Sequence, residues 1–166
     1  MKLVECRKTF TKPLKQVTLC LLVKDGEVLL AMKKRGFGEG RWNGVGGKPE
    51  PGETIEEALI RETQEEIKVT PTSYHQVATL DFYFPPKPDI NQQVHVFLVD
   101  KWEGEPVETE EMKPEWFKKD KIPYTSMWSG DEHWMPLVLE GKEIKGGFVF
   151  KEGDELSDFE LREESN

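Results

Sequence analysis

Five charged residues at fixed spacing could do chemistry here: Glu53, Arg61, Glu62, Glu65 and Glu66, all within GKPEPGETIEEALIRETQEEIKV, Gly47 to Val69. The first half of that stretch is turn-rich, with two prolines and two glycines ahead of Glu53. The second half predicts a helix. Thr54 followed by Glu57 makes a capping box, and Ile55 to Ile67 contains no Gly or Pro. At about 100° per residue, Ile55, Ala58 and Leu59 form one apolar stripe. The stripe continues seven and eleven residues past Ile55, where Glu62 and Glu66 stand. Glu65 lies about 60° from Glu62 on the same wheel. Carboxylates on a burying face cost about several kcal/mol unless a cation meets them. A hard divalent cation takes such oxygen ligands, and Mg²⁺ usually shares them with substrate phosphates. The plainer alternative is a solvated acidic face with an Arg61–Glu65 pair at i,i+4.

Two other stretches could serve the same centre. Lys33 to Asn43 (KKRGFGEGRWN) is a basic, glycine-broken loop that leads into Gly44-Val45-Gly46-Gly47. Glycines there let backbone groups approach phosphates; a solvated turn that keeps a strand edge soluble is the alternative. Further on, Trp128 and Asp131 sit at the entrance of an aromatic-rich helix. A Trp beside an acid can stack on a base and bond its edge, or can simply pack in the core. The acidic loop Trp102 to Pro114 offers Glu103, Glu105, Glu108, Glu110 and Glu111, and spacing does not choose among them.

The elements that must position these groups follow from pattern. Val17–Val23 and Val28–Met32, joined through Asp25-Gly26, predict a hairpin. After Pro71 ends the acidic helix, Val77–Phe84 reads as a strand with Leu80, Phe82 and Phe84 on one face. A proline-rich loop follows, then a strand over Val94–Val99 in which His95 reads as a core or edge histidine. Ser129 is the expected N-cap of the second helix, with Glu132 completing its box, Pro136 inside it and Gly141 ending it. Ile144–Phe150 and Leu156–Leu161 read as closing strands. The opening MKLVECRKTFTKPLK has no clear period and is expected to be an extension or a poorly ordered arm. The tail over 163–166 is expected to fray.

Length and charge narrow the function classes. With 166 residues the chain is expected to form a single domain, residues 1–14 being an extension. A net charge of −9 argues against binding polymeric nucleic acid, which relies on Lys and Arg to neutralise phosphates. Cys6 and Cys20 make no metal spacing and no disulfide framework. No run approaches the ~20 apolar residues of a membrane span, and there is no signal-peptide pattern. A soluble, cytoplasmic protein with no membrane association is expected.

Gly47, five residues, Glu53, seven residues, Arg61-Glu62, then Glu65-Glu66 resembles the Nudix box, G-x5-E-x7-R-E-U-x-E-E-x-G-U. Thr63 stands where an aliphatic residue is usual, and Lys68 where glycine is usual. MKKRGFGEGRWNGVGGK, VHVFLVD, EMKPEWF, IPYTSMW and LRE extend the resemblance, from about Gln16 to about Glu163, to the Nudix hydrolases of oxidised purine nucleoside triphosphates. The resemblance implies an α/β fold, an α/β/α sandwich around a mixed sheet. It implies Mg²⁺-dependent hydrolysis (Mn²⁺ being the alternative ion) of an 8-oxo-dGTP-type substrate between its α and β phosphates. The products would be nucleoside monophosphate and pyrophosphate, the enzyme a monomer that sanitises the nucleotide pool.

Position by position, the resemblance makes the Gly46 carbonyl, Glu62, Glu65, Glu66 and Glu111 metal ligands or water-activating groups, with Glu53 and Arg61 supporting the loop and helix. It puts Thr18, Lys33, Phe37, Asn43, Gly46, Gly47, Lys48, Phe82, Phe84, Trp128 and Asp131 around the substrate. The base would stack near Trp128, with Asn43 and a pair of aspartates reading its edge. This chain has Gly130-Asp131 where that pair stands, a departure that falls on oxidised adenine more than on oxidised guanine. Other expectations are a Nudix hydrolase of methylated purine triphosphates, dinucleotide polyphosphates or capped RNA, and a non-catalytic nucleotide-binding module. Such modules commonly lose box carboxylates, and none is lost here.

Overall fold

The structure is a computed structural model and describes residues 1–164. Strands β1 (Lys15–Lys24) and β2 (Glu27–Lys33) meet at Asp25 and Gly26, with φ of 51° and 77°. Those left-handed values match the twist of a two-residue hairpin turn, which is why Asp-Gly is found there. Yet the strands pair only through Val23–Val28 and Lys24–Glu27, and then they part. Residues 42–47 enter the gap. Strand β3 (Trp42–Asn43) pairs with Ala31 and Met32 of β2. On the other side, the Cys20 N–H donates to the Val45 carbonyl at 2.6 Å, and the Val45 N–H donates back at 3.0 Å.

The remaining strands build a mixed sheet, as expected. β1 runs parallel to β5 (Gln92–Glu103), and β5 antiparallel to β4 (Thr70–Tyr83). β4 runs parallel to β7 (Ile144–Lys151), which pairs antiparallel with β8 (Glu155–Glu163). Side chains alternate across β1, so Leu19 and Leu21 enter one core cluster while Cys20 and Leu22 enter another. Helix α2 (Ile55–Ile67) closes the second cluster with Leu59 and Ile67. Helix α3 (Asp131–Leu139) closes the first with Trp134, Met135 and Val138.

Several expectations are corrected. The opening stretch forms helix α1 (Leu3–Thr9), with Leu3 and Cys6 fully buried, rather than a poorly ordered arm. β4 begins at Thr70 and runs through Pro71, its irregular register absorbing the proline. The acidic loop ends early, because β6 (Met112–Lys118) pairs along the free edge of β2 and carries Pro114 on that edge strand. Ser129 does not cap α3. Its hydroxyl accepts the Leu156 N–H at 2.8 Å, and the N-cap is Gly130, with no side-chain bond. His95 lies between Gln16 and Gln76 on a central strand, and burial lowers its pKa, as befits a satisfied core histidine rather than an edge one. In the tail, Glu163 ends β8 and the Glu164 N–H donates to the Glu143 carbonyl, so neither frays; Ser165 and Asn166 lie outside the described residues. No helix among the described residues is long and apolar enough to cross a membrane.

Candidate active site

Helix α2 starts where its sequence says it should. Thr54 Oγ1 accepts the Glu57 N–H at 3.1 Å, and Glu57 Oε1 accepts the Thr54 N–H at 3.0 Å. Its face then turns acidic as the periodicity predicts: Ala58 and Leu59 are buried, Glu62 is half-buried and Glu66 is buried, while Glu65 is exposed. Arg61 organises the loop ahead of the helix. Its guanidinium reaches Glu53, the Lys48 carbonyl, Glu62 and Glu65. The fork on Glu53, helped by the Glu50 amide, holds the Glu53 carboxyl below the usual carboxylate range.

Glu66 is the anomalous group. Burial and the nearby Glu62 and Glu111 push its carboxyl up to about 8, with the Gly46 amide and Lys33 pulling the other way. Its Oε2 is buried without a hydrogen-bond partner. An orphaned buried oxygen, with two more carboxylates close enough to perturb it, is the kind of hard-oxygen chemistry that fits a divalent cation. Among the described residues, no three acidic, His or Cys side chains already converge on one point. The carboxylates are instead paired with arginines: Glu62 and Glu65 both bond Arg61, and Glu111 pairs with Arg35 at 3.4 Å.

The glycines explain how the loop reaches these groups. A Cβ on Gly46 would collide with the Thr18 carbonyl, and one on Gly47 with the Glu62 carboxylate. Thr18 fixes the loop from the other side: its N–H donates to the Gly47 carbonyl at 2.9 Å, and its hydroxyl accepts the Gly47 N–H at 3.3 Å. Between Gly47 and α3 a cavity of about 380 Å³ opens. All eleven residues expected around the substrate line it. Phe82 and Phe84 form one wall, continued by Phe150, and Phe37 lies 5.1 Å from Trp128 across the mouth. At the α3 end, burial pushes the Asp131 carboxyl up to about 7, against the Trp134 indole N–H, the Trp128 backbone and Arg41. Asp131 Oδ1 accepts the Trp134 Nε1–H at 3.0 Å, whereas Oδ2 is buried without a partner.

A NUDIX domain profile matches residues 12–138, which covers most of the chain. The chain belongs to the Nudix family. Among relatives, an oxidized purine nucleoside triphosphate hydrolase from Danio rerio is 46% identical over 149 residues, covering 90% of this chain and 95% of that protein. The protein of the same name from Mus musculus is 44% identical over 146 residues, covering 88% and 93%. The fold is similar to the crystal structure of a MutT protein from Bacillus halodurans, with a TM-score of 0.79, 31% identity, and 89% and 97% of the two chains covered.

Within this Nudix fold, reading the sequence alone missed some of the site. Arg41 appeared there only as one charge of a basic loop. It stacks over the Trp128 ring at 4.1 Å and pairs with Asp154 at 3.6 Å, which fixes the ring's orientation. Ile90, from the turn after the prolines, and Gln92, the first residue of β5, line the same Nudix cavity. Asn91 between them is buried, and its Oδ1 accepts the Phe84 N–H at 2.6 Å. An aromatic next to a basic residue was the available signal for Arg41. Asn91 had none, because an asparagine that satisfies a loop amide seven residues away looks like any turn residue.

Proposed function

We propose that this chain hydrolyses oxidised purine nucleoside triphosphates of the 8-oxo-dGTP type to the nucleoside monophosphate and pyrophosphate, and so keeps damaged nucleotides out of DNA synthesis. The observation that carries this reading is continuity. One aromatic cavity, with the orphaned Asp131 oxygen at one end, reaches Gly46 and Gly47 at the other, and Gly47 packs against Glu62 of the acidic Nudix helix. The names of the vertebrate relatives, at 44–46% identity over nearly their whole length, support the same substrate class.

In this reading the base stacks among Phe37, Phe82, Phe84 and Trp128 while Asn43 and Asp131 read its edge. Asp131 protonated can donate a hydrogen bond; ionised, it only accepts. Lys33 and Lys48 meet the phosphates, with the Gly46 and Gly47 backbone close beside them. Mg²⁺, with Mn²⁺ the alternative, is held by Glu62, Glu65, Glu66, Glu111 and the Gly46 carbonyl, and supplies charge neutralisation on the phosphate oxygens. Glu65 or Glu111 takes the proton of the attacking water. Acidic and compact, the protein acts as a cytoplasmic monomer on free nucleotides.

The test is pyrophosphate release measured over oxidised, methylated and ordinary nucleoside triphosphates with Mg²⁺. A kcat/KM that favours an oxidised purine is expected; preference for any other substrate overturns the reading. One observation favours a second Nudix substrate, such as a methylated purine triphosphate, a dinucleotide polyphosphate or a capped RNA end. A single carboxylate faces the base, because position 130 is glycine and a Cβ there would press on Phe148 at 2.8 Å.

A further inference from the structure

Helix α1 docks directly behind the aromatic wall of the cavity. Phe82 on β4 and Phe84 just past its end face the cavity, and Tyr83 between them faces α1; on β7, Phe148 and Phe150 pack into the same front core, Phe150 also lining the cavity, and Val149 between them faces α1. The two strands are in register, Phe82 opposite Phe148 and Tyr83 opposite Val149. The front side chains interlock: Phe82 and Phe148 stack at 5.3 Å, Phe84 and Phe150 at 5.0 Å. The back side chains form a separate small cluster with Leu3 and Cys6, over which Phe10 and Leu14 pack.

This contact is built and specific. Seven residues make too short a helix to hold itself in water, so α1 depends on its docking. It is tied down at three points. The Leu3 N–H donates to Asp158 Oδ2 at 2.8 Å, Arg7 pairs with Asp81 at 3.2 Å, and Phe10 stacks on Tyr83 at 6.3 Å. Gly147 leaves the room for it. A Cβ there would lie 2.8 Å from Leu3 Cδ1 and 3.0 Å from Arg7 Nη2.

We propose that α1 is a clasp that sets the nucleobase wall from behind, with Leu3, Cys6 and Arg7 as positioning residues for the cavity on the opposite face of the sheet. The part of this that concerns the base rests on the substrate reading above; the coupling across the sheet does not. Release of α1 loosens the Phe82–Phe84 and Phe148–Phe150 segments. Substrate affinity then falls while the hydrolytic step, carried by α2 far along the sheet, continues. By reciprocity, a ligand that fixes the wall also fixes the clasp.

The test uses the full chain with Gly147→Val, which suits a strand but overfills the space that Leu3 occupies, and Arg7→Gln, which removes one tie without touching the core. Hydrogen exchange at residues 82–84 and 148–150 is compared with the wild type. Faster exchange at those segments in both variants, with α2 unchanged, is expected; wild-type exchange there overturns the clasp whatever the substrate. For kinetics, KM for 8-oxo-dGTP should rise about fivefold or more, with kcat within about twofold. A fall in kcat at constant KM overturns the positioning role. Finally, 8-oxo-dGMP should slow thiol-reagent labelling of Cys6 in the wild type, and unchanged labelling with bound nucleotide overturns the reciprocity. If the wild type neither binds 8-oxo-dGMP nor hydrolyses 8-oxo-dGTP, the substrate reading fails and hydrogen exchange still decides the clasp.

Discussion

Arg61 grips Glu53 as a fork, Nε to Oε2 at 2.8 Å and Nη2 to Oε1 at 2.9 Å. The same guanidinium holds Glu62 at 2.8 Å, so the loop before α2 and the carboxylates along it are fixed by one side chain. Lysine keeps the charge and loses the planar fork. Arg61→Lys should therefore lower metal affinity and kcat/KM by about ten- to hundredfold, the usual effect of losing a group that orients ligands. Titration of activity against Mg²⁺ concentration checks it; wild-type metal dependence refutes it.

Glu66 is buried beside two other carboxylates with one oxygen unpartnered, an arrangement that works against stability. Glu66→Gln keeps the shape but can no longer ionise to meet a cation. We expect the melting temperature of the metal-free protein to hold or rise while pyrophosphate release falls by about 10²- to 10⁴-fold. Thermal unfolding and a turnover assay on the same sample separate the two effects.

Asp131 gives a pH signature with a defined sign. Its folded pKa of about 7 exceeds the ordinary aspartate value, so the folded state holds a proton that the unfolded state has lost. Stability from this group is full at pH below about 4 and declines as pH rises to about 7, where the buried carboxyl ionises. Asp131→Asn should flatten that part of the profile. Unfolding midpoints from pH 4 to 8 for both proteins provide the measurement, and parallel profiles sink the assignment.

Lys68 ends α2 in the left-handed region, with φ 63° and ψ 33°, where the family usually has glycine. A side chain there costs about 1–2 kcal/mol, part of which glycine gives back through the unfolded chain. Lys68→Gly should stabilise the fold by about 0.5–1 kcal/mol, raising the melting temperature by about 1–4 °C. No rise would mean that the Lys68 side chain contributes elsewhere.

What could be read from the sequence was what local periodicity and fixed spacing encode. The acidic face of α2 was legible because Ile55, Glu62 and Glu66 share a meridian, and the Asp25-Gly26 hairpin because its turn needs positive φ at both residues. The cavity lining was legible only through family resemblance, since Thr18, Phe82 and Asp131 come from three separate elements. Helix α1 was illegible because two buried residues make no period, and its partner glycine lies at position 147. Strand β6 was hidden by Pro114 and its charges, which read as loop until β2 offers an edge. Ser129 misled because a hydroxyl ready to cap a helix looks the same as one committed to Leu156, 27 residues on.

The parted hairpin sets what this scaffold can tolerate over evolutionary change. Residues 42–47 are hydrogen-bonded along both edges, Asn43 against Ala31 on one side and Val45 and Gly47 against Cys20 and Thr18 on the other. Their number is thereby counted by two strands at once. Inserting or deleting one residue would turn Asn43 to the wrong face and carry Gly47 away from Glu62. The loop ahead of them, 34–41, has no such double registration, whereas 48–53 is held at both ends by Arg61 through the Lys48 carbonyl and Glu53. New substrate preferences can be explored by lengthening the 34–41 loop, while the six residues after it are fixed in count, and Gly46 and Gly47 in kind as well.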